Sequence, residues 1–291
     1  MAASVRVVLN GVRGSTPCAG AEYLRFGGSS SCVAIESDGA PPIILDLGTG
    51  LRRYSSRWEA PGAEPFRGHV LLTHLHWDHV QGLPFFTPLH QAGARVEIHG
   101  PAQETGRLGD VFGRMMGSPF FPIGPSDLAA DVCFSEVADD DFAIGPAKVR
   151  SRWVRHTDPT LGFRVEVAGR VVVYLPDHGQ ACGDHGDDHV PDAVLELCDG
   201  ADVLIHDAQH TTEEFGPKRH WGHCTVDYAL HVGREAGARH VVLFHHDPAH
   251  TDDDLDRIEA QARDVGAHLG IPEVTAAREG AELLVGGTEA R

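Results

Sequence analysis

The sequence lacks the features of a membrane, secreted or disordered protein. No apolar run approaches the roughly 18 residues that are needed to span a bilayer. No charged segment precedes a long apolar stretch at the N-terminus, so we expect no signal peptide and no membrane partner. Charged residues make up 23% of the chain and hydrophobic residues 42%, which argues against disorder and suffices for a sizeable core.

The cysteines form no CxxC pair, which argues against both a disulfide framework and a zinc ribbon. They are scattered as Cys18, Cys32, Cys133, Cys182, Cys198 and Cys224. Scattered cysteines are typical of reduced thiols, most of them small core residues. The pattern therefore predicts a cytoplasmic protein.

Positive charge is scarce. The chain has 24 Lys and Arg against 42 Asp and Glu, a net charge of −18 with histidine neutral. A field of this sign repels polyanions, so we expect no long nucleic acid as a partner. A small phosphate ester remains compatible, because bound metal would reverse the charge locally. Histidine, in contrast, is abundant, with 20 residues.

Short apolar runs followed by turns recur along the chain. They are rich in Val, Ile and Leu and mostly too short for helices, which predicts β-strands. The predicted strands are Val5–Leu9, Cys32–Ile35, Ile43–Leu47, Val70–Leu72, Val96–His99, Gly162–Val167, Val171–Leu175, Val203–His206 and Val241–Phe244. We also predict a helix over Val226–Ala236 and another after Thr251 that stops at Gly266. Strands with interspersed helices indicate an α/β architecture.

Residues 107–124 carry apolar side chains among glycines and prolines with no clean period. One interpretation is a loop packed on the core. The other is an apolar lid or pocket wall. The sequence favours neither.

The segment HVLLTHLHWDHVQG, residues 69–82, concentrates metal-ligand side chains directly after a predicted strand. His74, His76, Asp78 and His79 fall within six residues. Imidazoles and carboxylates are ligands that zinc and similar metals accept. Residues two apart at a strand end can converge on one ion, while Asp78 and His79 can face a second. The segment therefore predicts a metal site.

Further candidate ligands lie at later strand ends or beside turns. They are His156, Asp177, His206, Asp207, His245 and His246. Loops at strand ends are where α/β folds place their sites, so these side chains could converge at one edge. His245 and His246 follow the same strand, and neither spacing nor strand ending separates them.

The HxHxDH motif resembles the hallmark of the metallo-β-lactamase superfamily, and the resemblance covers nearly the whole chain. The opening GVRGSTP, the run 27–31 and Asp46 in DLGTG also resemble this superfamily. His156, followed by residues 162–164 (GFR), is similar to the third motif of the ribonuclease Z and cyclic-phosphate phosphodiesterase branch. The resemblance implies a four-layer αββα metallo-β-lactamase-like sandwich, with residues 1–291 forming a single hydrolase domain.

The resemblance also implies a binuclear site. Its two divalent ions would be zinc by preference, with manganese or iron also accepted, and a hydroxide between them would be the nucleophile. The implied ligands are His74, His76 and His156 on one ion, Asp78, His79 and His245 on the other, and Asp177 as the bridge. Asp46 either supports these ligands, as the resemblance suggests, or belongs to a structural turn.

Two positions depart from the ribonuclease Z pattern. Asp207 stands where that family has Glu, and Cys224 follows His223 where that family has Ser. In the family the acid and the later histidine serve the leaving group. The resemblance therefore implies catalytic roles for Asp207 and His223, beside Asp78 and Asp177. Because Asp is one methylene shorter than Glu, the proton-transfer geometry depends on how the two side chains meet.

The interval between His156 and Asp177 is short. Two strands and a turn use nearly all of it, so the RNA-binding arm that ribonuclease Z carries there does not fit. We therefore expect a phosphodiesterase for a small or cyclic phosphodiester, and resemblance alone implies a homodimer. The alternatives are a hydrolase of lactones, esters or thioesters on the same fold, and a non-catalytic metal-binding protein. The full ligand set argues against the last.

Overall fold

Two β-sheets packed face to face form the centre of the protein. The computed structural model describes residues 4–60, 62–181 and 189–286. The first sheet contains, in spatial order, β14 (Glu282–Val285), β1 (Val5–Gly11), β2 (Cys32–Ser37), β3 (Ile43–Leu45), β4 (Arg67–Leu71), β5 (Arg95–Pro101) and β6 (Asp131–Val137). The second contains β13 (Glu273–Ala276), β12 (His240–Phe244), β11 (Val203–Asp207), β10 (Arg170–Leu175), β9 (Thr160–Val167), β8 (Ala147–Val154) and β7 (Asp141–Ile144).

Each sheet is mixed. Strands β3 to β6 are parallel to one another, whereas β14, β1, β2 and β3 pair in antiparallel fashion. In the second sheet β10 to β13 are parallel and β7 to β10 antiparallel. The parallel halves direct the carboxyl ends of several strands to one edge, which is where α/β folds place functional loops.

Helices cover the outer faces of both sheets. They are α1 (Leu51–Ser55), α2 (Trp77–Val80), α3 (Leu108–Met115), α4 (Asp192–Cys198), α5 (Thr212–Lys218), α6 (Val226–Glu235) and α7 (Asp252–Leu269). Separate apolar clusters lie between the two sheets and beneath the helices of each face. This arrangement confirms the predicted α/β class and four-layer αββα sandwich. None of the described helices combines the length and apolarity needed to cross a membrane.

The central strands are continuous apolar runs in the sequence because their side chains are buried on both faces of each sheet. In β11, Val203 and Ile205 pack between the sheets, whereas Leu204 packs beneath the helices. All the predicted strands form, with shifted ends. The unpredicted strands are β6, β7, β8, β13 and β14, which mix polar with apolar residues and include the outermost strands of both sheets.

The prediction that the last helix stops at Gly266 is wrong. The helix begins at the predicted cap, where Thr251 Oγ1 accepts a hydrogen bond from Asp254 N, and it continues to Leu269. It ends at Gly270, whose φ of 79° is in the left-handed region that suits glycine. Gly266 is buried because the helix approaches Val274 of β13 closely there.

Residues 107–124 contain a helix that the sequence reading missed. Leu108, Phe112 and Met116 of the α3 region are buried in the cluster beneath the helices of the first sheet. Their four-residue spacing is helical, but interspersed glycines hide it. The beginning of the segment therefore packs on the core, while Phe120 is 72% exposed.

The described cysteines are free thiols, as the scattered pattern predicts. Cys32, Cys198 and Cys224 are buried, and Cys18 and Cys133 are half-buried. Cys182 lies outside the described residues.

Candidate metal centre

The candidate metal centre lies where loops from both sheets meet. The first sheet contributes the segment after β4, which carries His74 and His76 and turns into α2 with Asp78 and His79. The second sheet contributes the residues just beyond three of its strands: His156 after β8, Asp177 after β10 and His245 after β12. The side chains form two groups of possible ligands: His74, His76, His156 and Asp177, and Asp78, His79 and His245. A third group, Asp177, His223 and His245, overlaps both.

The first group, His74, His76, His156 and Asp177, converges through imidazole nitrogens and one carboxylate oxygen. His76 Nδ1 is 3.2 Å from His156 Nε2. Asp177 Oδ2 lies 3.7 Å from His74 Nε2 and 3.5 Å from His156 Nε2. These four side chains each offer an atom within 4.8 Å of the others. The spacing suits donors around a single ion.

The second group, Asp78, His79 and His245, is tighter. Asp78 Oδ2 lies 3.1 Å from His245 Nε2 and 3.2 Å from His79 Nε2. Asp177 Oδ1 is 3.1 Å from His79 Nε2 and 3.2 Å from His245 Nε2. The two oxygens of Asp177 therefore face different groups.

Two inward atoms of the centre are buried without a hydrogen-bond partner among the described residues. They are Nε2 of His74 and Oδ1 of Asp177. Buried polar atoms are normally paired, so two unpaired atoms that each carry a lone pair call for a metal or another ligand. Imidazole nitrogen and carboxylate oxygen are the atoms that zinc and related divalent ions accept. The residues present therefore fit divalent metal ions.

The protonation states of His74 and Asp177 favour the same interpretation. Burial, followed by the nearby charge of His79, holds the pKa of His74 well below its usual value, which keeps its imidazole neutral with a free lone pair. Burial alone would raise the pKa of Asp177. The imidazoles of His245 and His79 nevertheless lower the pKa of Asp177 well below its usual value, so the carboxylate is ionised.

Asp46 orients two of the histidines. Its Oδ2 accepts a hydrogen bond of 2.7 Å from His79 Nδ1. Asp46 Oδ2 also accepts a hydrogen bond from the Thr73 hydroxyl. The oxygen of that hydroxyl, Thr73 Oγ1, in turn accepts a hydrogen bond of 3.0 Å from His74 Nδ1. Because the outer nitrogens are occupied, His74 and His79 present Nε2 to the centre. Asp46 could either support the candidate ligands or belong to a structural turn, and these contacts favour the supporting role.

The remaining histidines are oriented in the same way. Each donates from its outer ring nitrogen: His76 Nε2 to Asp158 Oδ2 at 2.7 Å, His156 Nδ1 to Gly222 O at 2.7 Å, and His245 Nδ1 to Gln209 Oε1 at 3.2 Å. Partners of this kind fix the tautomer and the ring orientation of a metal ligand. Asp158 and Gln209 lie on separate loops, and no local sequence signal identified them.

Three residues of the centre have a left-handed backbone: Ser15 (φ 61°), Asp46 (φ 59°) and His245 (φ 60°). Ser15 N donates a 2.7 Å hydrogen bond to Asp78 Oδ2. Beside it, a Cβ on Gly14 would come within 2.3 Å of His245 Nδ1, so only glycine fits there. The GVRGSTP segment, noted from the sequence only by resemblance, thus forms one wall of the centre.

His223 and Asp207 form a buried pair next to the centre. His223 Nδ1 donates to Asp207 Oδ2 at 2.8 Å. The His223 ring stacks on His245, with centroids 4.9 Å apart and planes 27° apart. Burial lowers the pKa of His223, but the charge of Asp207 and its hydrogen bond raise that pKa overall. The shorter carboxylate of Asp207 therefore still reaches the histidine.

Two of the histidine candidates lie outside the centre. His206 Nδ1 donates to Asp207 O at 2.7 Å, and its Nε2 accepts from His178 Nδ1 at 3.1 Å. His246 Nε2 donates to Ala277 O at 2.9 Å. His206 and His246 therefore direct their ring nitrogens away from the two groups of possible ligands. His245 and His246 point in different directions because the chain turns through the left-handed φ of His245.

A cavity of about 490 Å³ opens over the centre. It is lined by Ser15, Leu75, His76, Trp77, Asp78, Asp177, His223 and His245. Trp77 is 61% exposed, so an aromatic surface accompanies the polar groups at the opening. A cavity of this volume accommodates a small molecule.

Comparison with known proteins gives a family match. Residues 43–246, which include all the candidate ligands, match the family model described as a beta-lactamase superfamily domain. A ribonuclease Z from Haloarcula marismortui is 26% identical over 263 aligned residues, which cover 75% of this chain and 80% of that protein.

Solved structures resemble the fold over nearly its full length. The metallo-beta-lactamase fold protein YhfI from Bacillus subtilis superimposes with a TM-score of 0.71 at 18% identity, covering 97% of this chain and 99% of that one. A diphosphatase from the PhnP family gives a TM-score of 0.68 at 21% identity, covering 96% and 97%. At these identities the likeness is one of fold.

Proposed function

Because this chain belongs to the beta-lactamase superfamily and is a metal-dependent hydrolase, we propose that it cleaves a small or cyclic phosphodiester at a binuclear metal site. The observation that carries the proposal is the position of Asp177, whose two carboxylate oxygens face two separate groups of donors. The name of the ribonuclease Z relative, an enzyme of phosphodiester bonds, supports the substrate class.

The proposed ligands divide between two divalent ions, with zinc the first choice for these donors. One ion would be held by His74, His76 and His156 and the other by Asp78, His79 and His245, and Asp177 would offer one carboxylate oxygen to each. When bound, such ions supply a hydroxide nucleophile at neutral pH and stabilise negative charge on the attacked phosphate. Asp46, Asp158 and Gln209 keep the ligand imidazoles in the required tautomers.

His223 is the proposed general acid. With Nδ1 committed to Asp207, it can deliver a proton from Nε2 to the leaving oxygen of the phosphodiester. Asp207 fixes the ring and stabilises its protonated form. Stacking on His245 holds the ring beside the metal centre.

Shape and charge favour a small substrate over a long RNA. Strands β9 and β10 occupy most of the interval between His156 and Asp177, so no RNA-binding arm extends from that interval. Away from the metal centre, the net charge of −18 repels the phosphates of a long polyanion.

A substrate panel with metal analysis tests the proposal. We expect about two ions per purified chain, hydrolysis of bis-p-nitrophenyl phosphate or of cyclic nucleotides, loss of activity with a chelator and recovery with zinc. Activity confined to p-nitrophenyl esters or lactones would assign the chain to the alternative hydrolase class. Activity that resists chelation would contradict the role of metal.

A matched pair of neighbouring variants tests the bridge. Asp177→Asn keeps the shape but removes the charge that faces both groups, so metal content and activity should fall together. His178→Gln is the control, since His178 is equally buried but its ring contacts His206. Inductively coupled plasma mass spectrometry measures the metal. Equal metal loss in both variants would show that Asp177 is not a bridging ligand.

A further inference from the structure

A second group of potential metal ligands, His69, Glu97 and His99, lies on β4 and β5 and shares no residue with the candidate metal centre. His69 Nδ1 is 3.2 Å from His99 Nε2 and 3.7 Å from Glu97 Oε2. The donor atoms of the three residues all lie within 4.8 Å of one another. Two imidazoles and one carboxylate are a donor set that zinc and related ions accept.

The register of the sheet creates this group. β4 and β5 are parallel, and His69 pairs with Glu97 while Leu71 pairs with His99. His69 and Leu71 alternate with Val70, so both point toward the second sheet, and Glu97 and His99 lie on that same face. Phe142 of β7, an edge strand of the second sheet, stacks on His99 with ring centroids 5.4 Å apart. The group therefore lies where the two sheets meet near an edge.

Arg95 fixes the carboxylate. Its Nε donates to Glu97 Oε1 at 2.8 Å, which leaves Oε2 as the oxygen nearest His69. The hydrogen bond from Arg95 is the main reason that the pKa of Glu97 lies below its usual value, so the carboxylate is ionised. Burial lowers the pKa values of His69 and His99, which favours neutral imidazoles. Each group is thus in the protonation state of a metal ligand.

We propose that His69, Glu97 and His99 bind a divalent cation such as Zn²⁺ in addition to those of the metal centre. All three side chains are half-buried, so an ion can enter from solvent and complete its coordination with water. The hydrogen bond between the two imidazoles accounts for one nitrogen of each ring. It does not account for the carboxylate oxygen turned toward them. A bound ion cross-links β4 to β5 beside the edge strand β6.

Equilibrium dialysis of the full chain against Zn²⁺, followed by metal analysis, tests this site. The double variant His69→Gln/His99→Gln should bind one ion per chain less than the wild type, whatever number the metal centre holds. Glu97→Gln keeps the side-chain shape and should lower the affinity for that ion by about tenfold or more. His90→Gln removes an exposed imidazole elsewhere and should match the wild type.

Thermal unfolding provides a second measurement. Because an ion that binds only the folded state stabilises it, added Zn²⁺ should raise the Tm of the wild type more than that of Glu97→Gln. Equal zinc content and equal Tm shifts in the wild type and both variants would overturn the proposal. Both measurements compare zinc binding between variants, so their outcome does not depend on whether the chain cleaves phosphodiesters.

Discussion

His223 is fixed on two sides, by its hydrogen bond to Asp207 and by stacking on His245. Asp207 in turn accepts hydrogen bonds from the backbone N–H groups of His178 and Gln209. These contacts fix the position of the Asp207 carboxylate. The carboxylate of Asp207 therefore reaches His223 Nδ1, as the proposed proton transfer requires.

Substituting His223 should affect substrates according to their leaving groups. His223→Ala should leave metal content near that of the wild type and lower kcat by about 10²–10⁴ for substrates that expel an alkoxide. The loss should be far smaller for bis-p-nitrophenyl phosphate, because p-nitrophenolate leaves without a proton. Asp207→Asn should show the same selectivity more weakly. Steady-state kinetics on both substrates measures the difference.

His220→Ala is a suitable control, since His220 is an exposed histidine three residues away. It should leave both rates unchanged. An equal loss of kcat on both substrate types in His223→Ala would instead assign His223 a binding or structural role.

The backbone at the centre is strained at individual residues. Ser15, Asp46 and His245 account for three of the four non-glycine residues with positive φ in the described ranges. Such conformations cost about 1–3 kcal/mol each and persist only where the surrounding structure imposes them. Here the surroundings do so, through Asp78 on Ser15, His79 on Asp46 and Gln209 on His245. Part of the folding free energy thus offsets the backbone strain that positions these side chains.

At the scale of elements, α7 and β13 approach each other closely at Gly266. A Cβ at this position would lie 2.5 Å from Val274 Cγ2. Gly113 in α3 is a contrasting helical glycine, where the nearest atom to an added Cβ is Pro125 Cγ at 3.8 Å, an ordinary contact. Gly266 is thus required by packing, whereas Gly113 is not.

Alanine substitutions at these two glycines should have opposite effects. Gly266→Ala should lower the free energy of unfolding by about 1–3 kcal/mol, because overpacking outweighs the gain in helix propensity. Gly113→Ala should raise it by up to about 1 kcal/mol, because alanine restricts the unfolded chain and favours the helix. Urea denaturation of both variants tests the pair. Stabilisation by Gly266→Ala would show that α7 does not pack on β13 this closely.

The sequence predicted those elements whose signal is local. Central strands such as β10 and β11 are buried on both faces, so their apolar runs stand out. Strand β6 lies at an edge, and its mixture of exposed and half-buried residues gives no clear period. Helix α3 has the right spacing of apolar residues, but glycines break the pattern. The stop at Gly266 was mispredicted because glycine serves both as a helix terminus and as a close-packing residue.

The same distinction applies to the candidate metal centre. His74, His76, Asp78 and His79 were predicted because they occur together in one short segment. Their supporting partners could not be predicted in the same way. Asp158 and Gln209 reach the ligands from distant parts of the chain, and spacing along the sequence carries no information about such contacts.

At the scale of the whole molecule, acidity and the absence of an arm between β9 and β10 bear on the substrate. Binding of a long RNA depends on cationic side chains that neutralise phosphates. The net charge of −18 works against this. We therefore expect no efficient processing of precursor tRNA at physiological salt, even with the metal centre loaded.

A cleavage assay on labelled precursor tRNA tests this expectation, with the preferred small phosphodiester as the positive control. Clear release of the 3′ trailer by the zinc-loaded protein would contradict it. Weak activity that rises with ionic strength would agree with it, because salt screens the repulsion between the acidic protein and the RNA phosphates.

The proposed ligands come from both halves of the sandwich, with His74, His76, Asp78 and His79 beside the first sheet and His156, Asp177 and His245 beside the second. The complete donor set exists only after the two sheets have docked. If the sheets dock after the transition state, ions held there would slow unfolding more than they accelerate folding. Metal supply would then govern how long each folded molecule survives, and hardly how quickly it forms.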